Sequence, residues 1–199
     1  IILPIGKFID TDLTHWVNNL QTNLIGNVYL TQLVLPVMVK KKYGKIINLS
    51  GGGSVYARPN FSAYSVSKTG LLRFAETLAK EVKQYNIDVN SVAPGAIYTD
   101  MVEKVILNKE LAGDDEYKFA QDIKISGGEN SKIVSKLISF LCSNLSDGIS
   151  GKLISAVWDP WENRKFQILR GGNQEFFFDQ KKIGEKNREI IFFRKKQKY

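Results

Sequence analysis

Short apolar runs alternate with long amphipathic stretches, and this alternation limits the folds open to the chain more than any other feature. The runs are "KIINLS" at 45–50, "IDVNSVAPG" at 87–95 and "GKLISAVWD" at 151–159. The first is rich in β-branched residues and reads as a buried strand; the second is stopped by Pro94-Gly95. Between them lie helical patterns. In 11–42, Trp16, Leu20, Leu24, Val28 and Gln32 recur at fourfold spacing, and Lys40–Lys42 suit a helix C-terminus. In 63–85, Leu71, Ala75, Leu78 and Val82 share one stripe, and "SKIVSKLISFLCS" repeats the pattern at 131–143. Strand, helix, strand, helix, strand at these lengths predicts an α/β fold: a parallel sheet with helical crossovers. The polar stretch 99–130 has weak helical periodicity and no strand, and reads as a mobile lid.

Where the first strand ends, three consecutive glycines, Gly51–Gly53, raise the question of a phosphate loop. Such loops lead directly into a helix with GxGxxG or GxxxxGK[ST] spacing. This run has neither spacing, and Arg58-Pro59 interrupts before the next helix begins. Glycine after a strand more often serves only a turn. Tyr64 and Lys68 follow, four apart in the first turns of a helix, so their heads share a face. An ammonium beside a phenol stabilises the phenolate, which makes the tyrosine a usable acid or base and able to protonate a carbonyl oxygen. The pair follows a small-residue loop at the carboxyl end of a parallel strand, where open α/β sheets place their sites.

The single cysteine, Cys142, excludes a disulfide framework and is expected to be a buried structural thiol, in keeping with a reducing, cytoplasmic setting. The lone histidine, His15, cannot build a zinc site by itself, and no metal is expected. No apolar run reaches the roughly 18 residues of a spanning helix, so a soluble protein is expected. Of the net charge of +8, the stretch from Trp161 to Tyr199 carries +6, with eleven Lys or Arg against five Asp or Glu. This basic extension, 160–199, could touch nucleic acid or an acidic surface, but no nucleic-acid motif accompanies it.

The run from about Pro4 to Asp159 resembles the short-chain dehydrogenase/reductase family. "TNLIGN" is similar to its asparagine-bearing helix motif, "YSVSK" to its YxxxK and "PGAIYT" to its PGxxxT, all in the family's order. The resemblance implies the C-terminal part of a Rossmann-like, doubly wound parallel sheet in 1–159, with three strands remaining. It implies NAD or NADP as cofactor and a small-molecule carbonyl/alcohol pair as substrate. Tyr64 would be the general acid/base. Lys68 would bind the nicotinamide ribose and depress the Tyr64 pKa, and Asn23 would hold a water connecting Lys68 to solvent. Pro94, Gly95 and Thr99 would line the nicotinamide pocket. The long helices resemble those that pair across subunits in the family, so a dimer or tetramer is expected.

Two departures stand out. The family's TGxxxGxG half does not precede "IILPIGKF", so the chain reads as an N-terminally truncated member. The family's substrate-orienting serine falls where this chain has Gly51; Ser50, Ser54, Ser62 or main-chain amides are the alternatives, with Ser50 favoured because its hydroxyl already stands at the strand end. A catalytically silent interaction subunit is the alternative function.

Overall fold

The computed structural model describes residues 1–162, so the basic extension lies almost wholly outside the described residues. Three strands, β1 (Gly44–Leu49), β2 (Ile87–Ala93) and β3 (Leu153–Ser155), form one parallel sheet in the order β1-β2-β3. Gly44 pairs with Ile87 and Leu49 with Val92; Ser91 pairs with Leu153. β2 is the middle strand and is buried almost throughout, as a strand covered on both faces must be. The sequence-predicted alternation is therefore realised, with the third strand shorter than its apolar run.

Helix α3 (Ser62–Glu81) crosses from β1 to β2 and covers one face, packing Ala75, Leu78 and Ala79 against Ile46, Ile87 and Val89. Helix α7 (Ser131–Cys142) covers the other, with Leu137 and Leu141 against Val92 and Ile154. Trp161 joins this second core, stacked on Phe140 with ring centroids 6.2 Å apart, its indole donating to the Ala156 carbonyl. Cys142, at the end of α7, is exposed rather than buried, because the stripe facing the sheet is Val134, Leu137 and Leu141 and position 142 falls on the far side.

Residues 13–41 form one continuous rod rather than a uniform helix: α1 (Leu13–Leu20), a single π-turn (Gln21–Ile25) and α2 (Gly26–Lys41). Asp12 caps its start by accepting from the His15 amide. The buried side of the rod is polar. Asn19, Asn23 and Thr31 are the buried residues, whereas Trp16, Leu20, Leu24 and Val28 are only half-buried and Gln32 is exposed. Close approach explains this: Asn19 and Asn23 bond across to Ser67 of α3, and Gly70 of α3 leaves room for Leu24. By length and mean composition alone the rod is apolar enough to cross a membrane, although polar residues such as Asn19, Asn23 and Gln32 interrupt every apolar run; its polar side packs on α3.

The stretch 99–130 is helical. It forms α4 (Asp100–Leu107), α5 (Lys109–Ala112) and α6 (Asp114–Ser126), broken at Asn108 and at Gly113, which adopts a positive φ of 88°. Three short helices with separate phases explain why the sequence shows no sustained period. Together they form a cap over the opening segment and the start of α3, burying Val105, Ala112 and Ala120 with Ile2, Ile5, Phe61 and Tyr64.

Candidate active site

The carboxyl ends of β1 and β2 lie side by side, since the Ser50 amide donates to the Val92 carbonyl at 2.8 Å. From there β1 runs into Gly51–Gly53 and a 3-10 turn over Gly52–Ser54, not into a helix N-terminus, so the loop lacks the row of aimed amides that holds phosphate. β2 runs into Pro94 and Gly95. Gly95 has a φ of 83°, and a Cβ there would press on Val157 and Glu129 at 2.9 and 3.0 Å. Glycine is required at this position on both counts.

Helix α3 brings Tyr64 and Lys68 to this edge. The Tyr64 ring is buried, and its hydroxyl reaches the β1 loop: a Cβ at Gly51 would collide with it. Gly51 is extended, with φ −173°, so the need for glycine is one of space and not of backbone conformation. The Lys68 ammonium donates to the Leu49 carbonyl at 2.9 Å and lies 5.9 Å from the centre of the Tyr64 ring. Burial holds the Lys68 pKa below its ordinary value.

Two cations flank the tyrosine. Burial pushes the Tyr64 phenol up, the Arg58 guanidinium opposes that rise and the neighbouring phenol of Tyr56 adds to it, while the Lys68 ammonium, bonded to the Leu49 carbonyl, lies equally near the ring. Arg58 sits 4.2 Å over the Phe61 ring and 5.8 Å from the Tyr64 ring centre. Glu116 of α6 holds it with a two-pronged bond, Nε to Oε1 at 2.7 Å and Nη2 to Oε2 at 2.6 Å. Sequence reading passed over this pair. Arg58 entered only as an interruption before a helix, and nothing in the chain links it to a carboxylate 58 residues on.

The serines are committed elsewhere. Ser54 Oγ donates to the Gly51 carbonyl at 2.7 Å, so its proton is used, and the 2.6 Å contact between Ser50 and Ser54 must take the proton of Ser50. Ser62 accepts from the Trp16 indole at 3.0 Å. Asn23 lies within the π-turn, a kind of turn often found at functional sites. Its amide group donates to the Ile1 carbonyl, to Asn19 and to Ser67, and its main-chain carbonyl accepts from Asn27. Thr99 stands at the N-cap of α4 with its side chain making no cap bond, exposed beside Gly95 and half-buried Pro94. Among the described residues, no group of three or more His, Cys, Asp or Glu is placed to hold a metal ion.

A parallel α/β sheet with a Tyr-Lys pair over the carboxyl edge of its strands defines the class: Rossmann-like, with the site at the strand ends. Within that class, the profile described as "short chain dehydrogenase" matches residues 2–110, and the chain belongs to this family of NAD- or NADP-dependent oxidoreductases. The chain is 34% identical over 147 residues to the 3-oxoacyl-(acyl-carrier-protein) reductase FabG of Aquifex aeolicus, covering 74% of this chain and 57% of that one. It is 32% identical over 149 residues to dehydrogenase/reductase SDR family member 4 of Sus scrofa, covering 75% of this chain and 52% of that one. A structure of ElxO with NADP bound superposes with a TM-score of 0.65 at 26% identity, over 78% of this chain and 62% of that one. The chain thus spans little more than half the length of the curated relatives it matches.

Proposed function

We propose that this chain carries the catalytic half of an oxidoreductase that interconverts a carbonyl and an alcohol, with Tyr64 as general acid/base. The observation that carries the reading is the convergence of the Tyr64 hydroxyl on Gly51, at the carboxyl edge where Lys68 also bonds the Leu49 carbonyl. The residues present fit a nicotinamide cofactor. Thr99 has a hydroxyl not engaged in capping, and Lys68 supplies a cation at the carboxyl edge. Pro94, Gly95 and Thr99 would flank the nicotinamide, and Lys68 would hold the ribose hydroxyls. When bound, the cofactor accepts or supplies the hydride.

In reduction, Tyr64 Oη gives its proton to the carbonyl oxygen; in oxidation it takes the proton from the alcohol. Because the hydroxyls of Ser50 and Ser54 are bonded within the loop, the second donor to the substrate oxygen is a main-chain amide of 51–53, or Ser50 after its bond to Ser54 opens. Asn23 would hold a water connecting Lys68 to solvent. The buried wall around Tyr64, with Ile5, Phe61 and Val105, favours an apolar group beside the reacting carbon. Relatives named as 3-oxoacyl-(acyl-carrier-protein) reductases make a 3-oxoacyl thioester the first substrate to try. The exposed apolar row on α2 supports a homo-oligomer, and the setting proposed is the cytoplasm.

Tyr64→Phe, assayed in the full-length protein with a 3-oxoacyl thioester and either cofactor, should lower kcat by about 10²–10⁴-fold while cofactor affinity holds. Near-normal turnover would refute the acid/base assignment.

A further inference from the structure

Tyr64 is a buried phenol, and burial works against its charged form. The YxxxK pattern points to Lys68 as a counter-charge, and its ammonium, bonded to the Leu49 carbonyl, lies 5.9 Å from the Tyr64 ring centre. The other cation at the ring is fixed with far more care. Arg58 leaves the loop just before α3, lies over the Phe61 face and reaches the Tyr64 ring. Its side chain is 15% exposed and that of Glu116 20%, so the pair sits in surroundings where charge is weakly screened. The loop is pinned to the cap again by Asn60, which donates to the Ala112 carbonyl, and to the opening segment by the Gly6 amide, which donates to the Asn60 carbonyl. These ties leave the guanidinium little freedom.

We propose that Arg58, locked by Glu116 of the cap, is a positioning residue for the reaction: beside Lys68 it adds positive potential against which the Tyr64 hydroxyl releases and regains its proton. The inference rests on the reading of Tyr64 as the acid/base. Among the described residues, three charged or titratable groups bear on the phenol. Arg58 and Tyr56 face it from the loop, and Lys68 lies one turn on in α3. From the opening segment and helices α4, α5 and α6, the residues buried with the phenol are Ile2, Ile5, Val105, Ala112 and Ala120. Glu116 is turned to Arg58 and bears also on Tyr56. Because Glu116 belongs to the cap and Arg58 to the loop, the potential at Tyr64 depends on the cap being seated.

The test is the titration of Tyr64 itself, followed by NMR of full-length protein labelled with [13Cζ]tyrosine, with the resonance assigned by Tyr64→Phe and the neighbouring one by Tyr56→Phe. Arg58→Met should raise the Tyr64 midpoint by about one pH unit, the size expected from removing one nearby opposite charge. Arg58→Lys, which keeps a charge but not the fork, should recover part of that shift. An unchanged midpoint in a folded Arg58→Met protein would overturn the proposal and leave the arginine a structural pin. If Arg58→Met fails to fold, Glu116→Gln decides: freed of its counter-charge, Arg58 should lower the midpoint, and a rise would refute the idea. A Tyr64 signal that does not titrate before alkaline unfolding would also overturn it. Turnover retained by Tyr64→Phe would instead sink the acid/base reading and leave the measured effect of Arg58 on the phenol standing. The same midpoints should appear in the pH profile of kcat.

Discussion

The two long helical rods beside β1 use apolar residues in opposite ways. Helix α3 is phased: Ala63, Tyr64, Leu71, Ala75, Leu78 and Ala79 are buried inside a single chain. Over its sixteen residues α2 buries only Thr31, while Tyr29, Leu30, Leu33, Val34 and Val37 stand exposed. A rod that is apolar around much of its surface ordinarily has neighbours on several sides. The contrast shows that apolar content locates a contact face but not which chain supplies the other half, and it supports the proposal that α2 meets a second copy.

The comparison breaks hardest in α3. Leu71 is 2% exposed, and Leu71→Ala should cost about 2–5 kcal/mol, read from the denaturation midpoint. Leu33, 75% exposed, replaced by Ala should leave the stability of the isolated subunit within about 0.5 kcal/mol. A large loss there would mean that α2 is core after all.

The next largest effect belongs to assembly. Each leucine buried between subunits contributes about 1.5–3 kcal/mol, so Leu30→Glu with Leu33→Glu should yield monomers by light scattering while the far-UV circular dichroism is retained. A native mass from the double variant would remove α2 from any interface. The smallest effect probes the polar seam between the rods. Asn19 is fully buried and bonded to Leu3 and Ser67, so Asn19→Ala leaves these partners short and should cost about 1–3 kcal/mol. A neutral result would show that the seam is filled by shape alone.

The sheet, α3 and α7 were legible in the sequence because each has one period and one clear stop, such as Pro94-Gly95 after β2. The rod 13–41 was legible as a helix but not in its burial, since the fourfold apolar spacing pointed to Trp16, Leu20 and Leu24 whereas the close packing went to Asn19 and Asn23. The cap was not legible: breaks at Asn108 and Gly113 reset the phase before a period could build. At the site, Tyr64, Lys68 and Gly51 stood out because they are near one another in the chain. Arg58 and Glu116 meet only through the fold, and the contact between the Ser50 and Ser54 hydroxyls depends on a loop geometry that no spacing encodes.

The π-turn at Gln21–Ile25 gives this rod an unusual sensitivity to length. Such a turn is a helix carrying one residue more than its α-helical count, and each residue of an α-helix advances the chain by about 100°. Removing one residue there would heal the turn into regular helix and swing everything before it by about that angle, taking Asn19 away from Ser67 and Trp16 away from Ser62 together. Replacing a side chain in the turn changes one contact, whereas losing a residue re-aims a whole seam. Over evolutionary time, this segment should therefore drift in composition while holding its count of residues fixed.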